Sequence, residues 1–202
     1  MAHYTGPKAR INRRLGAMIF ESAGAAKAFD RRPQAPGMGP PVRKLSTYGE
    51  AMREKQKIKY YYGLGERQLR RLFEQAKRSP GNTGDALLLL CERRLDSVVR
   101  LAGLTRTRPQ ARQGVGHGHF TINGKHIDVP SLTVKVGDVI AVKRRGSLTD
   151  LYGGNLSTFD GEPAVWLNVD AQNLQFVVST LPSSDDVTLP VNVAIVVELL
   201  NR

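Results

Sequence analysis

Near His119 the apolar residues change their spacing from a helical period to strict alternation. Upstream, Leu87, Leu88, Cys91, Leu95, Val98, Val99 and Ala102 fall on one side of a helix of about 3.6 residues per turn. Downstream, Phe120 and Ile122 alternate as far as Asn123-Gly124, and Ile127 and Val129 follow on the return. Asn-Gly accepts the positive φ angles that a two-residue hairpin turn requires, so two short antiparallel strands are predicted here. A chain that changes period in this way is neither all-helical nor all-β. It is α+β, with helices packed on a small antiparallel sheet.

The stripe from Leu87 predicts one helix over residues 85–102, stopped by Gly103. Cys91 lies on its buried side and reads as a small core residue. A short helix follows from Thr107-Arg108-Pro109-Gln110, where Thr107 and Gln110 have capping-box spacing and Pro109 suits a first turn. Beyond the hairpin, Val134 and Val136, a turn at Gly137-Asp138, and residues 139–143 predict a second strand pair. Residues 146–161 read as a linker, followed by strands at 165–169 and 176–178. Residues 191–200 are apolar enough to bury on the N-terminal helices.

Two further helices are expected before this module. The first covers 47–62, with Ser46 or Thr47 as N-cap and Gly63 as terminator. The second covers 66–78, with Leu69, Leu72, Phe73 and Ala76 as its buried stripe. Tyr60-Tyr61-Tyr62 could stack bases or pack between helices. Residues 1–45 show no sustained period, and Pro33, Pro36, Pro40 and Pro41 exclude helix or central strand around them. That region reads as an extended arm, either disordered or ordered against RNA.

Charge identifies the class of partner. Of 30 Lys/Arg and 18 Asp/Glu, residues 1–80 hold 18 and 6, residues 81–150 hold 11 and 6, and residues 151–202 hold one and 6. The excess is concentrated rather than spread, as expected for a surface that meets a polyanion, most often nucleic acid. No apolar run approaches a membrane span, and Arg10, Arg13 and Arg14 interrupt any leader-like segment. A single cysteine allows neither an internal disulfide nor a cysteine-built zinc site. In the short helix, Arg108 and Arg112 lie one turn apart, with Arg106 just before the helix N-terminus. Gln113, His117, Asn123 and Lys125 follow, so helix and hairpin could jointly clasp a phosphate backbone.

These residues also resemble a known family. Leu95-Asp96-Ser97-Val98-Val99, residues 107–113, His117-Gly118-His119, Ile122-Asn123-Gly124-Lys125, Pro130-Ser131 and Gly137-Asp138 together resemble the S-four RNA-binding domain. Tyr4-Thr5-Gly6-Pro7-Lys8, Arg13-Arg14, Arg32-Pro33, residues 53–57, Tyr62-Gly63, Glu66-Arg67-Gln68 and Asn82-Thr83-Gly84 are similar to bacterial small-subunit ribosomal protein number four. So are Leu189-Pro190-Val191-Asn192 and Ile195-Val196-Val197-Glu198 near the C-terminus.

The resemblance implies a fold in which an S-four module (two helices and a small antiparallel sheet, 85–150) is inserted into a helical domain. On that pattern, 1–45 is an extended basic arm, 46–84 is completed by 170–202, and 151–169 is a linker and strand returning to the first domain. It further implies a cytoplasmic, non-enzymatic assembly protein of the 30S subunit that binds the 5′ domain of 16S rRNA. Such a protein touches ribosomal protein number five, borders the mRNA entry channel, affects accuracy, and in some relatives represses its own operon. No small-molecule substrate, cofactor or membrane enters this reading. The RNA contacts it implies are Tyr4, Lys8, Arg10, Arg13, Arg14, Arg31, Arg32, Arg43 and Lys44 in the arm. To these it adds Arg53, Lys55, Lys57, Lys59, Arg67, Arg70 and Arg71 in the helices. In the module it implies Arg94, Arg106, Thr107, Arg108, Arg112, Gln113, His117, His119, Asn123 and Lys125.

Three departures from the family pattern matter below. Ala9 and Asn12 stand where zinc-binding relatives carry cysteines, so a zinc-free arm organised by RNA is expected. Gly114 takes the place of a large apolar residue, and Arg100 that of an aromatic. Arg94-Leu95-Asp96 resembles a pseudouridine synthase motif, but it sits in an amphipathic helix with no catalytic domain beside it. His117, His119 and His126 lack the cysteines or clustered carboxylates of a metal site. A ribosome-associated quality-control or heat-shock factor is the alternative, disfavoured by the long N-terminal region.

Overall fold

The computed structural model describes residues 4–38, 45–159 and 161–201. It divides into two compact units, 1–87 with 188–202, and 88–187.

The first unit is helical. α1 (Lys8–Leu15) and α2 (Ala23–Arg31) occupy the region expected to be an extended arm. What folds it is Asn12, which is fully buried. Its Oδ1 accepts the N–H groups of Ile19 (3.2 Å) and Phe20 (2.9 Å), and its Nδ2 donates to the Phe20 carbonyl (3.0 Å). A side-chain amide thus ties the loop after α1 back on the helix, and Ile11, Leu15, Ile19 and Phe20 are buried around it. The expectation of an arm ordered only by RNA is corrected for these residues. The expected sites Arg43 and Lys44 lie outside the described residues.

α3 (Thr47–Tyr61) starts at Ser46, whose hydroxyl accepts from the Gly49 N–H, and Gly63 follows it at φ 61°. α4 (Glu66–Lys77) buries Leu69, Phe73 and Ala76. Tyr61 and Tyr62 are buried edge-to-face (5.0 Å), and Tyr60 meets Tyr4 and Phe20, so the tyrosine run packs the interior. The C-terminal segment closes this unit: α9 (Val193–Asn201) packs on α3. Tyr61 hydrogen-bonds Thr188 (3.0 Å), and the Asn192 N–H donates to Glu54 (2.9 Å).

The second unit contains the sheet. The single helix expected over 85–102 is two, α5 (Thr83–Glu92) and α6 (Leu95–Leu101). At Arg93-Arg94 the backbone leaves the helix to pair with the 130–134 segment. Leu95 N–H donates to the Leu132 carbonyl (2.8 Å) and Val134 N–H to the Arg93 carbonyl (3.0 Å). Residues 134–136 are therefore not the expected partner strand of 139–143. α7 (Arg108–Gly116) is capped by Thr107, which accepts from Gln110 N–H (3.4 Å), while the Gln110 side chain accepts from Arg106 N–H (3.0 Å).

β1 (Phe120–Ile122) and β2 (Lys125–Ile127) form the expected hairpin, with Asn123 at φ 50° and Gly124 at φ 78°. β3 (Val139–Val142), β4 (Leu167–Asp170) and β5 (Gln175–Val178) complete an antiparallel sheet in the order β2-β1-β3-β5-β4. Thus 167–178 belongs to this sheet, and the strand expected to return to the first domain does not leave the module. The linker expected over 146–161 contains α8 (Gly146–Ser157), with Leu148, Tyr152 and Asn155 buried. Alternate residues Phe120, Ile122, Ile140, Val142, Phe176 and Val178 form one core with Leu95, Val98, Val99, Ala111, Val115, Leu148 and Tyr152. The helices therefore cover one face of the sheet.

Candidate RNA-binding surface

The structure sorts the basic residues into those held inside the protein and those presented outward. Arg94 is 3% exposed and makes a two-pronged pair with Asp96 (3.1 and 2.7 Å). The same carboxylate accepts from Arg112 (3.1 Å), and the Arg108 guanidinium lies 3.5 Å from buried Glu92. The two arginines of α7 thus face the carboxylates of α5 and α6. The expectation that Arg108 and Arg112 are RNA contacts meets a geometry in which both guanidinia brace helices. Desolvated ion pairs of this kind bind strongly only when the partner stays in place. Asn123 is likewise engaged: its amide donates to Asp138 (3.0 Å) and its carbonyl accepts from Val139 N–H (2.9 Å), fixing the turn. Burial pushes the Cys91 thiol up, in keeping with a core residue.

In the first unit, the lysines of α3 are paired with carboxylates of α3 and α4. Lys55 (8% exposed) and Lys59 both reach Glu66, at 2.7 and 3.3 Å, and Lys57 reaches Glu54 at 2.6 Å. Burial raises the Glu66 carboxyl, but hydrogen bonds and charge from Lys55 and Lys59 outweigh it, leaving its pKa below the ordinary value. Arg53 and Lys8 are half-buried, the latter 6.0 Å from the Phe20 ring, and Arg13 donates to the Gln34 carbonyl (2.9 Å). Arg10, Arg14, Arg31 and Arg32 are exposed. So are Arg67, Arg70 and Arg71, which at i, i+3 and i+4 share one face of α4.

In the second unit, Arg106, Gln113, His117 and Lys125 are exposed, with Arg106 also reaching the Thr158 hydroxyl (3.3 Å). The His117 and His119 rings are 5.7 Å apart, and Lys143 N–H donates to the His119 carbonyl (2.8 Å). This joins the histidines to Lys143-Arg144-Arg145, which leave the end of β3, with Arg144 and Arg145 exposed. Burial, followed by the charges of His117, Lys143 and Arg145, holds His119 below the ordinary histidine value. Lys143, Arg144 and Arg145 were not expected as site residues. Their signal in the sequence is three consecutive cations at the end of an alternating strand. Among the described residues, no three of His, Cys, Asp and Glu come close enough to hold a metal. No helix among them is long and apolar enough to cross a membrane.

α8 shapes this surface from below. Gly114 of α7 lies against the Tyr152 hydroxyl, leaving no room for a larger side chain, and the Tyr152 ring packs on Phe120 (5.1 Å). The missing apolar bulk at 114 is thus supplied from α8. Arg100, in turn, stacks on Phe159 (5.3 Å), which also covers Gly103.

A small helix-backed sheet with cations gathered at one strand end, in a chain whose other helices carry exposed arginines, fits the class of RNA-binding proteins. Comparison with known proteins makes this specific. The family described as "Ribosomal protein S4/S9 N-terminal domain" matches residues 3–92, and the "S4 domain" matches residues 93–140. The chain is 55% identical over 202 residues to small ribosomal subunit protein uS4 of Rhodopirellula baltica, with all of both chains covered. Identity is 45% over 208 residues to that of Acetivibrio thermocellus and 44% over 206 to that of Opitutus terrae, again across both whole chains. The chain belongs to the uS4 family of small ribosomal subunit proteins, a family of structural proteins and not of enzymes.

Proposed function

We propose that this protein binds 16S rRNA directly, in the 5′ domain, as an early assembly protein of the small subunit in the cytoplasm. The observation that carries the reading is the full-length match to small-subunit proteins, with no part of either chain left over. The exposed bases support it physically. In the second unit Arg106, His117, Lys125, Arg144 and Arg145 are exposed, with Lys143 and His119 half-buried, and in the first Arg10, Arg14, Arg31, Arg32, Arg67, Arg70 and Arg71 are exposed. Phosphate contacts of this kind set affinity and register, while rRNA shape supplies specificity. In the assembled subunit the protein would contact ribosomal protein number five, border the path of mRNA and contribute to accuracy. Repression of its own operon would use the same RNA surface.

The test is footprinting of the purified protein on naked 16S rRNA, with its sedimentation position followed in lysate. Protection of a 5′-domain junction with co-migration at 30S is expected. Absence from mature 30S subunits, or binding to 50S particles, would replace this reading with that of a quality-control factor.

A further inference from the structure

The Tyr152 hydroxyl lies 2.8 Å from Nδ1 of His119. Tyr152 is 1% exposed and its hydroxyl has no other hydrogen-bond partner among the described residues, so the arrangement that satisfies the buried O–H is donation to Nδ1. A neutral imidazole that accepts at Nδ1 carries its own proton on Nε2. Among the described residues that nitrogen has no partner, and it is not one of the buried polar atoms lacking one, so it is open to a ligand. The groups facing the ring from neighbouring elements are His117 after α7, Lys143 and Arg145 after β3, and Tyr152 of α8. Three of these are or can become cations, which disfavours a second proton on His119.

We propose that Tyr152 is a positioning residue that locks His119 in its Nε2–H tautomer and so aims a fixed hydrogen-bond donor at an RNA phosphate or 2′-hydroxyl oxygen. The proposal rests on the RNA-binding reading above. Around it, Lys143, Arg144 and Arg145 supply charge that is insensitive to direction, whereas an imidazole N–H on a braced ring supplies direction. Gly114 is part of the device, since any side chain there displaces the hydroxyl from the ring nitrogen.

The experiment compares wild type, Tyr152→Phe and Gly114→Ala by ¹⁵N imidazole NMR of histidine-labelled protein. Affinity for a 5′-domain 16S rRNA fragment is measured in parallel. In wild type, His119 should show one protonated and one bare nitrogen, and in both variants a mixture of tautomers. Affinity should fall about three- to tenfold in each variant, in line with one directed hydrogen bond. In a His119→Ala background, Tyr152→Phe should change affinity no further. The thermal midpoint of Tyr152→Phe serves as the folding control. Unchanged nitrogen shifts in both variants overturn the positioning role. Mixed tautomers with wild-type affinity overturn the RNA contact while leaving the lock. If wild type fails to bind the fragment at all, the RNA-binding reading itself falls, and the nitrogen shifts still decide the lock.

Discussion

Asp96→Asn tests how much of the module depends on one buried carboxylate. Asp96 is 4% exposed and accepts from Arg94 at 3.1 and 2.7 Å, from Arg112 at 3.1 Å and from the Ser97 N–H at 3.1 Å. The amide keeps the volume but removes the charge and turns an –NH₂ toward guanidinia. Arg94, 3% exposed, then has a buried positive charge with no counter-charge at Asp96. Removing one partner of a buried pair costs about 3–5 kcal/mol. The unit spans residues 88–187, a size at which each kcal/mol moves the midpoint by roughly 4–8 °C, so a drop of at least ~12 °C is expected. Thermal unfolding followed by circular dichroism at low and high salt measures it. The drop should be the same at both, because ions screen a buried pair poorly. Replacing the whole group together, Arg94→Met, Asp96→Leu and Arg112→Met, should recover most of the loss. A cost under ~1 kcal/mol, the value of an exposed pair, would refute the reasoning.

Other outcomes follow from the first unit and the hairpin. Asn12→Ala leaves the buried N–H groups of Ile19 and Phe20 without an acceptor and should cost about 2–4 kcal/mol, read by urea unfolding, with early loss of amide protection at 19–20. Glu66 has a lowered pKa in the fold, so its pairs with Lys55 and Lys59 stabilise the protein above the ordinary carboxylate range. That contribution is lost as pH falls through the folded value, and Glu66→Gln should flatten the acid limb of stability against pH. Gly118 sits at φ 67° with the His126 ring packed against it, so Gly118→Ala should destabilise the β1–β2 hairpin by about 1–2 kcal/mol in thermal melts.

The elements that sequence made legible carry their own signals. Ser46 and Thr107 cap the helices expected of them, and Asn123-Gly124 adopts the two positive φ angles its hairpin requires. The break at Arg93-Arg94 was illegible for a physical reason. The apolar stripe from Leu87 to Ala102 keeps its phase across it, and what ends α5 is backbone pairing with residues some forty positions away. α8 was obscured by Gly146, Gly153 and Gly154, which cost a helix roughly 1 kcal/mol apiece. Its buried Leu148, Tyr152 and Asn155 offset this through packing. Asn12 looked like a lost metal ligand because a side-chain amide tying a loop leaves no periodic trace. The candidate surface was half legible. Composition located the cations, but which of them spend their charge on Glu54, Glu66, Glu92 or Asp96 depends on tertiary pairing.

That distinction is the centre of the account, and the salt dependence of rRNA affinity tests it most directly. Each phosphate contact contributes about 0.7–0.9 to the slope of log affinity against log salt. Changing Lys143, Arg144 and Arg145 to Ala should flatten the slope by about 2–3, while changing Arg108 and Arg112 to Ala should lower the melting temperature and leave the slope within about 0.5. A slope that falls by about 2 with Arg108 and Arg112 and stays unchanged with the other three would contradict the account.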